Sequence, residues 1–278
     1  MTRQPSEARP PSYLLQTVPY EKVPHLLVGL MSMSVMATII LDHVRHSLPG
    51  SWIPALMAAP GLVACLRMLH AGMERSTIGW VVATVVVQMW IIFPASANHH
   101  WMFLWVVAPL VFHPKFATRD VYSRYVSLTF GIMMIAAGVQ KLISGNYIDG
   151  SFLAWLAAMG SYSEQVFNLV CSNTISSRNL TPCNGLVVIS WAAVAWQFIV
   201  GGLLVCHVRH TLIYLLEAGF VLSVGIAADE LAFQALSLCA LLIASRLPMP
   251  VWFPVLIVIM KGVSFVTVSG LIYLVWIS

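Results

Sequence analysis

The chain has 278 residues, of which 59% are hydrophobic and only 9% are charged, and its formal net charge is +4. A soluble domain carries about 25% charged residues, so this composition excludes a soluble globular protein and predicts an integral membrane protein. Because the charges of a membrane protein are read by the side of the bilayer on which they lie, the small positive excess does not indicate a nucleic-acid partner.

Nine apolar segments are predicted to cross the bilayer, which takes about 20 helical residues each. In chain order these spans are residues 23–41, 51–69, 76–93, 101–112, 121–143, 185–205, 211–227, 231–245 and 251–277. The segment 151–170 is apolar but interrupted by polar residues, so it is predicted to lie at the interface or to re-enter the bilayer. The sequence therefore predicts an all-α polytopic bundle of about nine spans, within limits of eight to ten.

Three regions follow from this division. Residues 1–22 are polar and rich in proline and are predicted to form a cytoplasmic tail. Residues 23–250 form the main transmembrane domain, and residues 251–278 form a C-terminal transmembrane helix.

The distribution of lysine and arginine predicts the orientation of the spans. When the spans alternate in direction, one face receives ten of these residues: Arg3, Arg9, Lys22, Arg67, Arg75, Lys115, Arg119, Arg124, Arg209 and Arg246. The opposite face receives only Arg45 and Arg178. Cytoplasmic loops carry the excess of positive charge, so the N-terminus is predicted to be cytoplasmic, in the cell (inner) membrane.

Lys141 is the most informative residue, because it ends the apolar stretch GIMMIAAGVQKLISGNYIDG of residues 131–150. A lysine at the end of a span can snorkel its ammonium to the interface, which is the purely structural interpretation. In a dry pocket, desolvation instead favours the neutral amine, which is a usable base. His99 and His100, predicted in the loop before span 101–112, come from the same outer face and are predicted to approach this amine.

Cys171 and Cys183 bracket a polar loop on the predicted outer face, where disulfides persist. A structural disulfide is the preferred interpretation, and a redox pair that exchanges with a partner thiol is the alternative. Glu217 and Lys261 are charges inside predicted spans, and they either pair with each other or serve a proton path.

The polar residues of the outer face also raise the question of a metal site. One set of residues offers the nitrogen and oxygen ligands of an outward metal site: Asp42, His43, His46, His99, His100, Asp229 and Glu230. None of their spacings is diagnostic of a metal, and no metal site is predicted.

Three stretches resemble the transmembrane domain of the vitamin K-dependent gamma-carboxylase and its bacterial relatives, the HTTM-type membrane proteins. AGVQKLISGNYIDG, residues 137–150, resembles the AGxxKL motif of that family. NHHWMFLWVVAPLVF, residues 98–112, resembles its NH-plus-aromatic stretch, and residues 196–220 look like its later segment. The resemblance covers about residues 20–250 and implies a carboxylase-like helical architecture.

The resemblance also implies a chemistry. It makes Lys141 the base that deprotonates a quinol, with His100, or His99 beside it, assisting. The departures are that Tyr147 stands where the family has a tryptophan, that Phe220 is followed by Val221 rather than by histidine, and that no large C-terminal lumenal region is present.

Three hypotheses remain open at this point. The first is a quinol- or oxygen-linked oxidoreductase or lyase that uses Lys141 as base on the outer face. The second is a non-catalytic membrane maturation or interaction factor that retains the fold. The third is a quinone-linked redox subunit resembling the DoxX group. The predicted partners are the lipid bilayer, a quinone or other lipid, and a peptide or thiol-redox partner, with no nucleic acid.

Overall fold

A computed structural model describes residues 22–46, 50, 52–93, 98–118, 120–158, 170–171, 181–208, 210–227 and 231–246. These residues form nine α-helices, one short 3-10 helix at Pro114–Thr118, and no β-strand. In chain order the helices are α1 (Val23–His46), α2 (Trp52–Ala71), α3 (Arg75–Ile92), α4 (Asn98–Phe112), α5 (Asp120–Ser144), α6 (Ser151–Ala158), α7 (Asn184–Val205), α8 (Thr211–Ala227) and α9 (Leu231–Ser245). The predicted tail before Lys22 and the predicted span 251–277 lie outside the described residues.

Five helices are long and apolar enough to cross a membrane, namely α1, α2, α3, α5 and α7. The helices α4, α8 and α9 are apolar but shorter, and α6 has only 8 residues. The chain is therefore an all-helical protein, over its described residues, with the features of a membrane protein. Large apolar side chains such as Trp90, Phe112 and Ile143 are exposed on its surface, as a lipid-facing surface requires.

The start of α4 differs from the sequence prediction. The predicted span began at Trp101 and left His99 and His100 in a loop, whereas the helix begins at Asn98 and contains both histidines. His100 is buried, which shows that the first turn of α4 packs into the bundle. The apolar run begins only after the polar residues 98–100, so the predicted start of α4 is three residues too late.

The helix α1 lies at the centre of one half of the bundle, where it packs mainly against α2 and α9. Its contact with α2 is close: a Cβ atom built on Gly29 would lie 2.4 Å from Leu69 Cδ2. Gly61 of α2 in turn lies against Met36. Small residues at such crossings let two helices approach closely, which is how helices in a bilayer gain packing contacts.

The other half is organised by the antiparallel pair α5 and α7. Gly131 and Gly201 face each other at their crossing, and a Cβ on Gly131 would lie 2.7 Å from the carbonyl oxygen of Gly201. Ser127 Oγ donates a hydrogen bond to the carbonyl of Leu204 at 3.1 Å. The two backbones are therefore too close to admit a side chain between them at this level.

Tyrosine and serine side chains tie α5 to its other neighbours. Tyr122 Oη donates to the carbonyl of Val106 in α4 at 2.9 Å. Ser123 Oγ donates to the carbonyl of Ala244 in α9 at 3.4 Å. At the same level the Arg246 side chain forms an ion pair with Asp120.

Apart from the short α6, successive helices run in opposite directions, so the bundle has two distinct ends. Six described basic residues lie at one end, here called the basic end: Lys22, Arg67, Arg75, Lys115, Arg124 and Arg246. The opposite end, here called the Lys141 end, holds the last turn of α5 and the first turns of α4, α7 and α9.

Candidate functional site

Lys141 lies in the last turn of α5, in agreement with the sequence prediction that it ends an apolar helix. The side chain is half-buried rather than fully extended into solvent. Its Nζ lies 5.1 Å from the centroid of the Tyr147 ring. A π face at this distance attracts a cation, so the ring holds the Lys141 side chain against the protein.

The turn after Lys141 is ordered by backbone hydrogen bonds. Gly145 and Gly150 have φ values of 72° and 78°, a left-handed conformation that favours glycine. Asp149 Oδ1 accepts a hydrogen bond from the backbone N–H of Ser151 at 2.8 Å, at the start of α6. The hydrogen bonds from the side chain and the backbone of Ser151 hold the pKa of Asp149 below its ordinary value.

An aromatic cluster follows directly on this turn. Tyr147 stacks on Phe152 with ring centroids 4.2 Å apart, and Phe152 lies 5.8 Å from Trp155. An open pocket of about 500 Å³ is lined by Asn146, Ser151, Phe152 and Trp155. Tyr147 contacts both Lys141 and Phe152, so a single ring lies between the amine and the aromatic pocket. An aromatic ligand ring is the chemistry that such a wall accepts best.

Cys171 and Cys183 form a disulfide in the structure, as the sequence predicted, with Cα atoms 5.8 Å apart. Cys183 directly precedes α7, and the two cysteines pack in one cluster with Ala154 and Ala157 of α6 and with Leu186 of α7. The disulfide thus lies where α6, which carries Phe152 and Trp155, meets the start of α7. This arrangement supports the structural interpretation of the pair.

The imidazoles of His99 and His100 lie next to each other, with ring centroids 4.3 Å apart. The helix geometry does not support the predicted approach of these rings to Lys141. Tyr125 Oη of α5 donates to the carbonyl of Trp105 in α4, so these two residues lie at about the same depth in the bundle. With a rise of about 1.5 Å per residue, Lys141 lies about 24 Å beyond that level, and His100 lies only about 8 Å beyond it.

The residues weighed as metal ligands do not assemble in the described part of the chain. Among those residues, no group of three His, Cys, Asp or Glu side chains is placed to hold a metal ion. Asp229, Glu230 and the side chain of His46 lie outside what the structure describes.

Two buried polar residues, Gln88 and Glu217, lie inside the bundle, and only Glu217 was singled out from the sequence. Gln88 of α3 has no exposed surface, and its amide was missed because one glutamine in an apolar run is easily taken for a tolerated residue. Glu217 of α8 is also fully buried, and its Oε2 accepts a hydrogen bond of 2.8 Å from Trp196 Nε1. The proposed partner of Glu217, Lys261, lies outside the described residues.

Comparison of the chain with protein-family models, with curated proteins and with solved structures finds no match. The function is therefore argued from the site alone.

Proposed function

We propose that this protein is a polytopic membrane enzyme of carboxylase-like (HTTM) architecture, in which Lys141 acts as a base on a quinol at the outer face. The observation that carries the proposal is the position of Lys141. Its Nζ lies over the Tyr147 ring, and that ring stacks on Phe152, which lines the adjoining pocket. An amine beside a stacking surface for an aromatic ring is what deprotonation of a quinol requires.

The proposed reaction starts with the quinol ring stacked on Phe152 and Trp155, with one ring hydroxyl directed to the amine. The Tyr147 ring stabilises the ammonium form of Lys141, so it favours the product of proton transfer from the quinol. The amine must be neutral before this step, because only a neutral amine can accept a proton. His99 and His100 take no direct part in this step.

The proposed orientation places the basic end in the cytoplasm and the Lys141 end outside. The segregation of the six basic residues at one end supports it, because lysine and arginine accumulate on the cytoplasmic side. We also propose nine spans, eight of them formed by all the described helices except α6 and the ninth by residues 251–277. Because eight spans return the chain to its starting side, Lys22 and Arg246 then share one side.

Labelling with a membrane-impermeant maleimide tests the orientation. The native Cys206 is exposed and follows α7 at the basic end, so it should react only when the cytoplasmic side is open to the reagent. Asn146→Cys, made in a Cys206→Ser background, should react from the outside. Labelling of Cys206 from the outside would reverse the orientation and remove the site from the outer face.

Hydroquinone-dependent oxygen consumption by the purified protein in lipid nanodiscs tests the chemistry. Lys141→Arg should abolish turnover, because a guanidinium stays protonated and cannot act as a base. Lys115→Arg is the matched control, since Lys115 is exposed at the basic end and should tolerate the change. Lys141→Arg with the parental rate would exclude the base role.

One observation favours a second candidate, a non-catalytic maturation or interaction factor that retains the fold. The helix rise places Lys141 about 16 Å from His100 along the bundle, a larger separation than the assisting role implied by the family resemblance would require. This candidate predicts that the protein does not turn over hydroquinone, and that Lys141→Arg leaves the biological output unchanged.

A further inference from the structure

Gln88 is a fully buried amide in the interior of an apolar bundle. Neither its Oε1 nor its Nε2 has a hydrogen-bond partner among the residues that the structure describes. A primary amide offers two N–H donors and a carbonyl acceptor, and burying them without partners is unfavourable. Gln234 of α9, which is also buried, donates its Nε2 to the carbonyl of Leu222 at 3.2 Å. The unmet hydrogen bonds of Gln88 therefore set it apart from a satisfied buried glutamine.

The packing of α3 against α4 places Gln88 close in depth to His100. The two helices are neighbours in an antiparallel hairpin, and a Cβ on Gly79 would lie 3.8 Å from Val111 Cγ1. Nine residues along each helix from this contact, Gln88 of α3 and Met102 of α4 lie at the same depth. Met102 is two residues from His100. At the helical rise the depths of Gln88 and His100 differ by about 3 Å. Both residues are buried, so both belong to the interior faces of their helices.

A third helix adds a hydroxyl group at the same depth. Ser237 of α9 is fully buried, and its Oγ donates to Met102 Sδ at 3.8 Å. Three helices thus contribute buried polar residues, Gln88, His100 and Ser237, at one depth of the interior. Polar residues inside membrane bundles are costly and commonly mark functional sites.

We propose that Gln88 and His100 bind a hydroxyl group inside the bundle, at a site separate from Lys141. The amide N–H of Gln88 donates to the hydroxyl oxygen, and the hydroxyl proton is donated to the amide carbonyl or to a nitrogen of His100. Two sources supply this chemistry, namely an internal water molecule and the ring hydroxyl of a quinol. Buried waters commonly satisfy polar groups of this kind. The site gives His100 a role that does not depend on contact with Lys141.

Solid-state NMR of the full chain in lipid bilayers tests the proposal, with glutamine labelled with ¹⁵N. The side-chain signal of Gln88 is assigned by its loss in Gln88→Met, an apolar change of similar size. Magnetisation transfer from water to that signal is then measured before and after addition of 2-methyl-1,4-naphthohydroquinone without oxygen. Gln234 is the matched control, because one N–H of its Nε2 is bonded to a protein carbonyl, and it should receive less transfer from water than Gln88.

Transfer from water that the hydroquinone does not change supports the site with water as its ligand. Loss of the water transfer on addition of hydroquinone, with a shifted Gln88 signal, supports the site with a quinol hydroxyl. In that case Gln88→Met should weaken hydroquinone binding about tenfold, the effect of one lost hydrogen bond. A Gln88 signal that receives no transfer from water and does not respond to hydroquinone overturns the proposal. Because turnover of Lys141→Arg is measured separately, either proposal can fail alone.

Discussion

Replacement of Gly131 by alanine should separate α5 from α7. A Cβ on Gly131 would lie 2.7 Å from the Gly201 carbonyl oxygen and 2.9 Å from the backbone nitrogen of Val205. Both are backbone atoms, so no side chain can rotate away to make room. The two helices must move apart, and the hydrogen bond from Ser127 to the Leu204 carbonyl should lengthen with them.

The size of the effect follows from two opposing terms. Overpacking a tight contact costs about 1–3 kcal/mol, and replacing glycine by alanine within a helix returns about 1 kcal/mol. Gly131→Ala should therefore destabilise the protein by up to about 2 kcal/mol. Gly202→Ala is the matched control, because a Cβ there meets nothing within 4 Å and leaves only the helix-propensity gain.

Thermal unfolding in one detergent, followed by circular dichroism, compares the two variants with the parent. Chains of this size shift their Tm by about 2–4 °C per kcal/mol, so Gly131→Ala should lower Tm by several degrees. Gly202→Ala should leave Tm unchanged or raise it. If both variants raised Tm alike, the close crossing of α5 and α7 would be refuted.

Three further predictions concern the rest of the bundle and the Lys141 end. Cys171→Ser should lower the stability of the protein by about 3 kcal/mol, measured as thermal unfolding, and free thiols in the freshly isolated parent would contradict the disulfide. Trp196→Phe should cost about 1–3 kcal/mol because the buried Glu217 loses a donor, whereas Trp191→Phe, at an exposed position, should unfold like the parent. The lowered pKa of Asp149 predicts that its carboxylate stabilises the start of α6 above about pH 4 and that this stabilisation is lost at lower pH. Hydrogen exchange of the α6 backbone amides measures this effect. Protection of those amides that does not change with acid would contradict the prediction.

The helices themselves were largely predictable from the sequence, because apolar runs of membrane length leave few alternatives. The predicted limits of 211–227 and 231–245 coincide with α8 and α9. The start of α4 was not predictable in this way, because its first turn is polar and is held in the bundle by tertiary packing. His100 is buried there although its neighbours in sequence are polar.

The candidate site was only partly predictable. The chain pattern indicated that Lys141 ends a helix, but no periodicity shows that Tyr147 turns back over its amine. The order of His100 and Lys141 along the chain suggested a proximity, whereas the helix rise separates their depths in the bundle by about 16 Å. The unmet hydrogen bonds of Gln88 become visible only when its neighbours are known, because they are a property of packing rather than of sequence.

The most direct test of the central claim is chemical rescue of Lys141→Ala by added primary amines. The variant removes the base and leaves space beside Tyr147 and the pocket that a small amine can enter. With hydroquinone as substrate, the rate should recover in part, and it should rise with the basicity of the amine among amines of equal size, as general-base catalysis requires. A parental rate for Lys141→Ala without any amine, or a rescued rate that does not depend on amine basicity, would contradict the account.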